Sequence, residues 1–202
     1  ITIALNILGS TGSFVNSLRL SFFQVTSISS TTGFTTANYD AWPAFSKGIL
    51  LLLTIVGACG GSTGGGMKVS RLIVIIKSGI ADVKRLFYPR SVISVRFEGK
   101  TLLKEVESNV KTYFNLYISI VLVSTLILSL DGFANGDLFT HISASFTCIS
   151  NVGPGFNMVG PTHTFAGYSD ISKLTLSAVM LLGRLEFFPI LALFLPKTWK
   201  KA

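Results

Sequence analysis

The sequence is poor in charge. Only 13% of its 202 residues are charged, about half the ~25% of an ordinary soluble domain. Acidic residues are scarcest, 9 Asp and Glu against 17 Lys and Arg. So few charges do not make a soluble surface. With 49% hydrophobic residues and a mean hydropathy of +0.61, the chain reads as an integral membrane protein. Cysteine is nearly absent. Cys59 and Cys148 lie far apart in apolar stretches, form no CxxC pair, and read as small buried hydrophobes. The two histidines, His141 and His163, have no companion acid at useful spacing. Without a nucleophile–base pair or a metal cluster, the chain reads as a non-enzyme that carries no cofactor. A signal peptide is missing too: "ITIALNIL" has neither Met nor a basic n-region, so the sequence reads as the C-terminal part of something longer.

Long apolar runs are what the chain has. Residues 112–130 carry no charge over 19 positions, close to the ~20 needed to cross a bilayer. Residues 171–195 are apolar but contain Lys173, Arg184 and Glu186. A third run, residues 44–88, is interrupted by "GACGGSTGGGMK" and reads as a broken helix. Residues 1–8 read as the tail of a further span. Two shorter segments, 17–30 and 137–150, are too short and polar to cross, and have the length of re-entrant helices. Each ends in a glycine turn, "TTGFTT" or "NVGPGF". Gly33 and Gly153 fall 120 positions apart, and both copies read as short helix, turn, long helix.

Charge placement orients the chain. Residues 68–111 hold 10 Lys and Arg against 4 Asp and Glu, and Lys197, Lys200 and Lys201 close the sequence. By the positive-inside tendency both regions are cytoplasmic. Residues 39–43 and 131–170 then face outside, with Asp40, Asp131, Asp137 and Asp170. This accounts for the net charge of +8 without nucleic acid, and leaves the basic segment able to meet anionic lipid or a cytosolic partner.

Irregular backbone at membrane depth must be buried in protein or line a watery cavity. Carbonyls at such turns can replace the hydration shell of a small cation. Glycine opens backbone angles closed to other residues, and the short helices aim their negative ends at the turns. Arg184 lies about 20 Å into its helix by the rise per residue, and the break at Gly60 about 24 Å beyond Ala44. An arginine so deep faces a polar interior or a pathway. The two are expected to meet across a pore; a structural ion pair with another helix is the plainer alternative for Arg184. A phosphate loop is excluded, because Met67 intervenes between Gly66 and Lys68, Val69 replaces Ser or Thr, and no strand precedes.

"SSTTGFTTANYDAWP", "GACGGSTGGGMK", "SNVGPGF" and "LLGRLEFF" together resemble the Trk/Ktr/HKT superfamily of potassium transporters, its TrkH/KtrB branch most of all. The resemblance runs over nearly the whole chain. It implies an all-α polytopic membrane protein built from repeated helix–pore-helix–helix units around a potassium-channel-like pore, with re-entrant filter loops. Residues 1–88 would be the third repeat, 89–111 a cytoplasmic linker, 112–196 the fourth repeat and 197–202 a cytoplasmic tail. Thr31, Thr32, Gly33 and Phe34 would form one potassium-binding filter strand; Asn151, Val152, Gly153 and Pro154 would form another. Pro154 departs from the third-repeat pattern, so a site of fourfold exactness is not expected. Gly60, Gly61, Ser62, Thr63, Gly64, Gly65 and Gly66 would form an intramembrane gate facing Arg184. The family further implies potassium uptake across the inner (plasma) membrane, a homodimer in the lipid bilayer and a cytosolic nucleotide-binding ring. A non-transporting polytopic anchor or scaffold subunit is the alternative.

Overall fold

The computed structural model describes residues 1–6, 12–62, 64–88, 94–133, 137–185, 187 and 189. It is mostly helical. Among the described residues seven α-helices follow in order: α1 (Thr2–Asn6), α2 (Phe14–Ser29), α3 (Ala44–Val56), α4 (Val69–Phe87), α5 (Lys104–Ser129), α6 (Leu138–Ser150) and α7 (Asp170–Leu185). A small antiparallel hairpin, β1 (Arg96–Phe97) and β2 (Lys100–Thr101), pairs Arg96 with Thr101. Its turn residues Glu98 and Gly99 both take positive φ, +48° and +79°.

α2 is inside-out relative to a helix in water. Ser17, Ser21, Gln24 and Ser27 are buried, while Val15 and Phe22 are more than 70% exposed. The spacing of the buried residues places them on one helical face. α6 is polar and buried almost throughout, with Thr140, His141, Ser143, Ser145, Thr147 and Ser150 all inside. Asp137 caps α6 by accepting the N–H of Phe139 at 3.3 Å, a contribution of about 1 kcal/mol for an ordinary N-cap. α5 is the one described helix long and apolar enough to cross a membrane. It begins at Lys104 rather than at Thr112, because its charged first turns are held. Glu107 accepts from the Ser78 hydroxyl and pairs with Lys111 at 3.0 Å, and Lys111 reaches Asp82 of α4 at 2.8 Å.

Two apolar clusters result among the described residues. One joins α5, α6 and α7 through Tyr117, Val121, Ile149, Leu176 and Val179. The other gathers Ile3, Ile28, Tyr39, Trp42 and Leu50 around α1 to α3, and takes in Val152 and Phe156 from the second half. The halves therefore interlock where the turn after α6 enters the core of the first half.

Between α3 and α4 the chain leaves the helix at Gly57 (φ +67°) and re-enters after Lys68 (φ +64°). The two ends of this loop are stitched: Met67 N–H donates to Ile55 O at 3.4 Å and Val69 N–H to Ala58 O at 3.2 Å. Met67 is buried, whereas Cys59 is exposed, contrary to the buried hydrophobe its neighbours suggested. Cys59 stands in the loop outside both helices, between Gly57 (φ +67°) and Gly61 (φ +86°). Cys148, inside α6, is buried.

Candidate functional site

The turns after α2 and α6 share one backbone pattern at a spacing of 120. Thr31 N–H donates to Ile28 O at 3.0 Å, and Asn151 N–H to Cys148 O at 3.1 Å. Thr32 N–H donates to Ser27 O at 2.9 Å, and Val152 N–H to Thr147 O at 3.0 Å. Thr31 and Asn151 both take left-handed backbone, φ +56° and +55°, and Gly33 and Gly153 follow at +78° and +110°. A β-branched residue in that region costs on the order of 1 kcal/mol, strain that tends to persist at functional sites.

The two turns touch. The Cα of Gly33 lies against the carbonyl of Val152, where any Cβ would collide, and Pro154 flanks the same spot. Only glycine permits that approach. Both glycines border a cavity of about 550 Å³, lined also by Thr35, Pro154, His163 and Lys173. Ser27 Oγ donates to the carbonyl of Phe34 at 2.7 Å, while the Phe34 side chain is 73% exposed.

The glycine loop lies against the start of both turns. A Cβ on Gly64 would stand 2.7 Å from Thr31 Oγ1, and one on Gly65 2.6 Å from Ser150 O and 2.8 Å from Asn151 Nδ2. Gly66 faces Ser150, Gly60 faces Ser70, and Gly61 (φ +86°) faces open space. Ser62 Oγ accepts the N–H of Gly64 at 3.1 Å. Thr63 lies outside the described residues. Arg184 sits in the last turn of α7, exposed, and makes no hydrogen bond or ion pair among the described residues. Its neighbour Gly183 packs against the carbonyl of Ile149, and Asn151 Nδ2 donates to Met180 O at 3.2 Å. The structure thus brings the loop and both turns together and places α7 against the second turn, without a bond from Arg184 to the loop.

A family profile described as "Cation transport protein", TrkH, matches residues 13–201. The chain belongs to the TrkH family. It is 36% identical to the Trk system potassium uptake protein TrkH of Salmonella typhimurium over 189 residues, 94% of this chain and 38% of that protein. It is 38% identical to the TrkH of Vibrio parahaemolyticus over 178 residues, 88% of this chain and 36% of that protein. The crystal structure of the potassium transporter TrkH from Vibrio parahaemolyticus superposes with a TM-score of 0.86 at 35% identity, covering 98% of this chain and 42% of that one. The chain therefore spans about two fifths of the length of these TrkH proteins.

Several residues that pack around these turns and the loop carry no signal of their contacts in the sequence of this TrkH-family chain. Tyr117 hydroxyl meets Ser150 Oγ at 3.1 Å, beneath the second turn. Tyr113, four residues earlier and so on the same face of α5, donates to Gly66 O at 3.4 Å, with the Arg71 guanidinium 4.0 Å from its ring centroid. Tyr39 and Asp40 stand inside the quoted "TTANYD" yet contact the opposite turn: Tyr39 hydroxyl donates to Gly155 O at 2.9 Å, and Asn157 N–H to Asp40 Oδ1 at 3.0 Å. Burial pushes the Asp40 carboxyl above its ordinary range, against the opposing pull of the Asn157 N–H, Lys47 and His163.

Proposed function

We propose that these residues form two of the filter-bearing repeats of a protein that takes up potassium ions across the cell's inner (plasma) membrane. In this reading the carbonyls of Thr31, Thr32, Gly33 and Phe34, and of Asn151, Val152, Gly153 and Pro154, line a channel-like selectivity filter. They replace the hydration shell of potassium. The C-terminal ends of α2 and α6 add partial negative charge beneath the ion. The rest of the longer protein supplies the remaining strands. Potassium is the cargo, and neither a cofactor nor nucleic acid enters the mechanism.

The reading rests on one observation above the others. Two turns with matched left-handed backbone, at a spacing of 120, press together so that Gly33 meets the Val152 carbonyl. The names of the relatives, potassium uptake proteins, supply the ion. Residues 57–66 would act as a movable barrier below the filter. Gly64 and Gly65 lie against Thr31 and Asn151, and Arg184, exposed and unpaired among the described residues, would hold the loop by its carbonyls in the closed state. The C-terminus would be cytoplasmic, the protein a homodimer, and a cytosolic nucleotide-binding ring its regulator.

Flux decides. Full-length protein in liposomes should accumulate potassium or rubidium well above protein-free vesicles. Uptake equal to the protein-free control, with and without the ring partner, would sink the reading and leave a membrane anchor.

A further inference from the structure

Tyr39 and Asp40 follow the first turn in sequence but bond to the segment after the second. Tyr39 is fully buried, its ring edge-on to Phe156 with centroids 5.3 Å apart. Its hydroxyl holds the carbonyl of Gly155, the residue directly after Pro154. Asp40 Oδ1 holds the N–H of Asn157, itself in left-handed backbone at φ +55°. Asp40 Oδ2 is wedged against Gly160 so closely that a Cβ there would collide with it. From the other side, Asn157 Nδ2 donates to Asp137 Oδ2 at 2.8 Å, and Phe156 N–H to Ser143 Oγ at 3.1 Å. The exit of the second turn is thus gripped between its own helix and the other repeat.

We infer that Tyr39 and Asp40 are positioning residues for the filter strand 151–154, so that one repeat sets the ion selectivity of its neighbour's strand. This rests on the filter reading above. A carbonyl bonded through Tyr39 cannot rotate freely, and Gly155 fixes the direction in which the peptide planes of Gly153 and Pro154 arrive. Glycine at Gly153 resists none of that rotation by itself, because nothing lies within 4 Å of its would-be Cβ. The restraint has to come from outside the strand, and the Tyr39–Asp40 clasp supplies the part of it that Ser143 and Asp137 do not.

The test is the potassium-to-sodium permeability ratio of the full-length protein in liposomes. Tyr39→Phe keeps the ring and removes only the donor, and Asp40→Ala removes the acceptor for Asn157. Each should lower the ratio by about fivefold, the size of one ordinary hydrogen bond. Asp40→Asn keeps an acceptor oxygen and should stay within about twofold of the unaltered protein. Gly153→Ser tests the filter itself and should also lower the ratio. If Gly153→Ser changes selectivity while Tyr39→Phe and Asp40→Ala do not, the clasp is overturned and the filter stands. Should Gly153→Ser leave the ratio unchanged, the filter reading falls and the inference falls with it. Tyr39→Phe carries the decision where Asp40→Ala does not reach the membrane.

Discussion

The two turns are alike in backbone and unlike in what holds them. The first is held from within its own repeat. Ser27 Oγ bonds the Phe34 carbonyl, and the Gln24 side-chain oxygen accepts the N–H groups of Thr36 (2.9 Å) and Ala37 (3.2 Å) when its amide faces those donors. The second has alanine, Ala144, where the 120 spacing puts the partner of Gln24, and it is held both by Ser143 and Asp137 of its own half and by Tyr39 and Asp40 across the interface. Repetition therefore conserves the turn and not its support. One turn is braced from within its own half, and the other is braced in part by its neighbour, which makes the interface between them part of the proposed site.

The sharpest way to break the likeness is at the two glycines. Gly33→Ala adds a Cβ that collides with the Val152 carbonyl, at a φ of +78°. Gly153→Ala meets open space and only the strain of φ +110°. Left-handed strain alone costs about 1–2 kcal/mol, and the collision adds to it. We expect Gly33→Ala to lower potassium uptake per inserted protein at least about thirtyfold, and Gly153→Ala about fivefold. Gly33→Ser should in addition reduce the preference for potassium over sodium. Equal losses at the two positions would show that the contact between the turns is incidental.

The glycine loop offers the next contrast. A Cβ on Gly65 would press on Ser150 O and Asn151, whereas one on Gly61 touches nothing. If the loop is a barrier seated against the second turn, Gly65→Ala lifts it and raises uptake about fivefold, the effect of roughly 1 kcal/mol on a closed state. Gly61→Ala, strained only by its own φ of +86°, should change uptake less than about twofold. A fall at Gly65 comparable to that at Gly33 would make the loop packing rather than gate. Arg184→Ala is expected to raise uptake by a smaller factor, about twofold, with unchanged thermal stability, since Arg184 is exposed and unbonded among the described residues. Lower uptake at normal expression would argue for a structural arginine.

Much of this was legible in the sequence because glycine and short hydroxyl residues report backbone geometry locally. Gly33 and Gly153, each following a short segment with Ser or Thr near its end, set the 120 spacing, and six glycines within residues 57–66 marked the break between α3 and α4. What escaped has two physical causes. Hydropathy sees only apolar turns, so the charged start of α5, where Ser78 hydrogen-bonds Glu107 and Asp82 pairs with Lys111 from another helix, read as linker. Two-residue strands such as Arg96–Phe97 are shorter than any period that could announce them. The clasp escaped for a further reason: Tyr39 and Gly155 are 116 residues apart, and nothing in "TTANYD" states which carbonyl a buried tyrosine will find. Such long-range pairing is decided by packing, and a single sequence carries no record of it.

The smallest effect separates two outer carboxylates. Asp131 accepts the N–H of Ser169 at 2.7 Å, and that bond, with the Ser169 and Ser172 hydroxyls, holds its carboxyl down to about 2. Asp40 is pushed the other way by burial. The signs follow from proton linkage. A lowered carboxylate contributes stability above its ordinary value of 3.8 that is lost as pH falls toward about 2. A raised one contributes stability below its ordinary value, lost as pH rises through its folded value. Thermal unfolding of the detergent-solubilised protein between pH 7 and pH 2 should therefore split the two variants. Asp131→Asn should lower the melting temperature slightly near neutrality, with the gap to the unaltered protein closing on the acid side. Asp40→Asn should show a gap of the opposite sign, the variant melting slightly higher near neutrality because the amide carries no buried charge, and that gap too should close on the acid side as Asp40 takes up its proton. Parallel curves for both would mean that the outer faces of the two repeats are held by equivalent contacts after all.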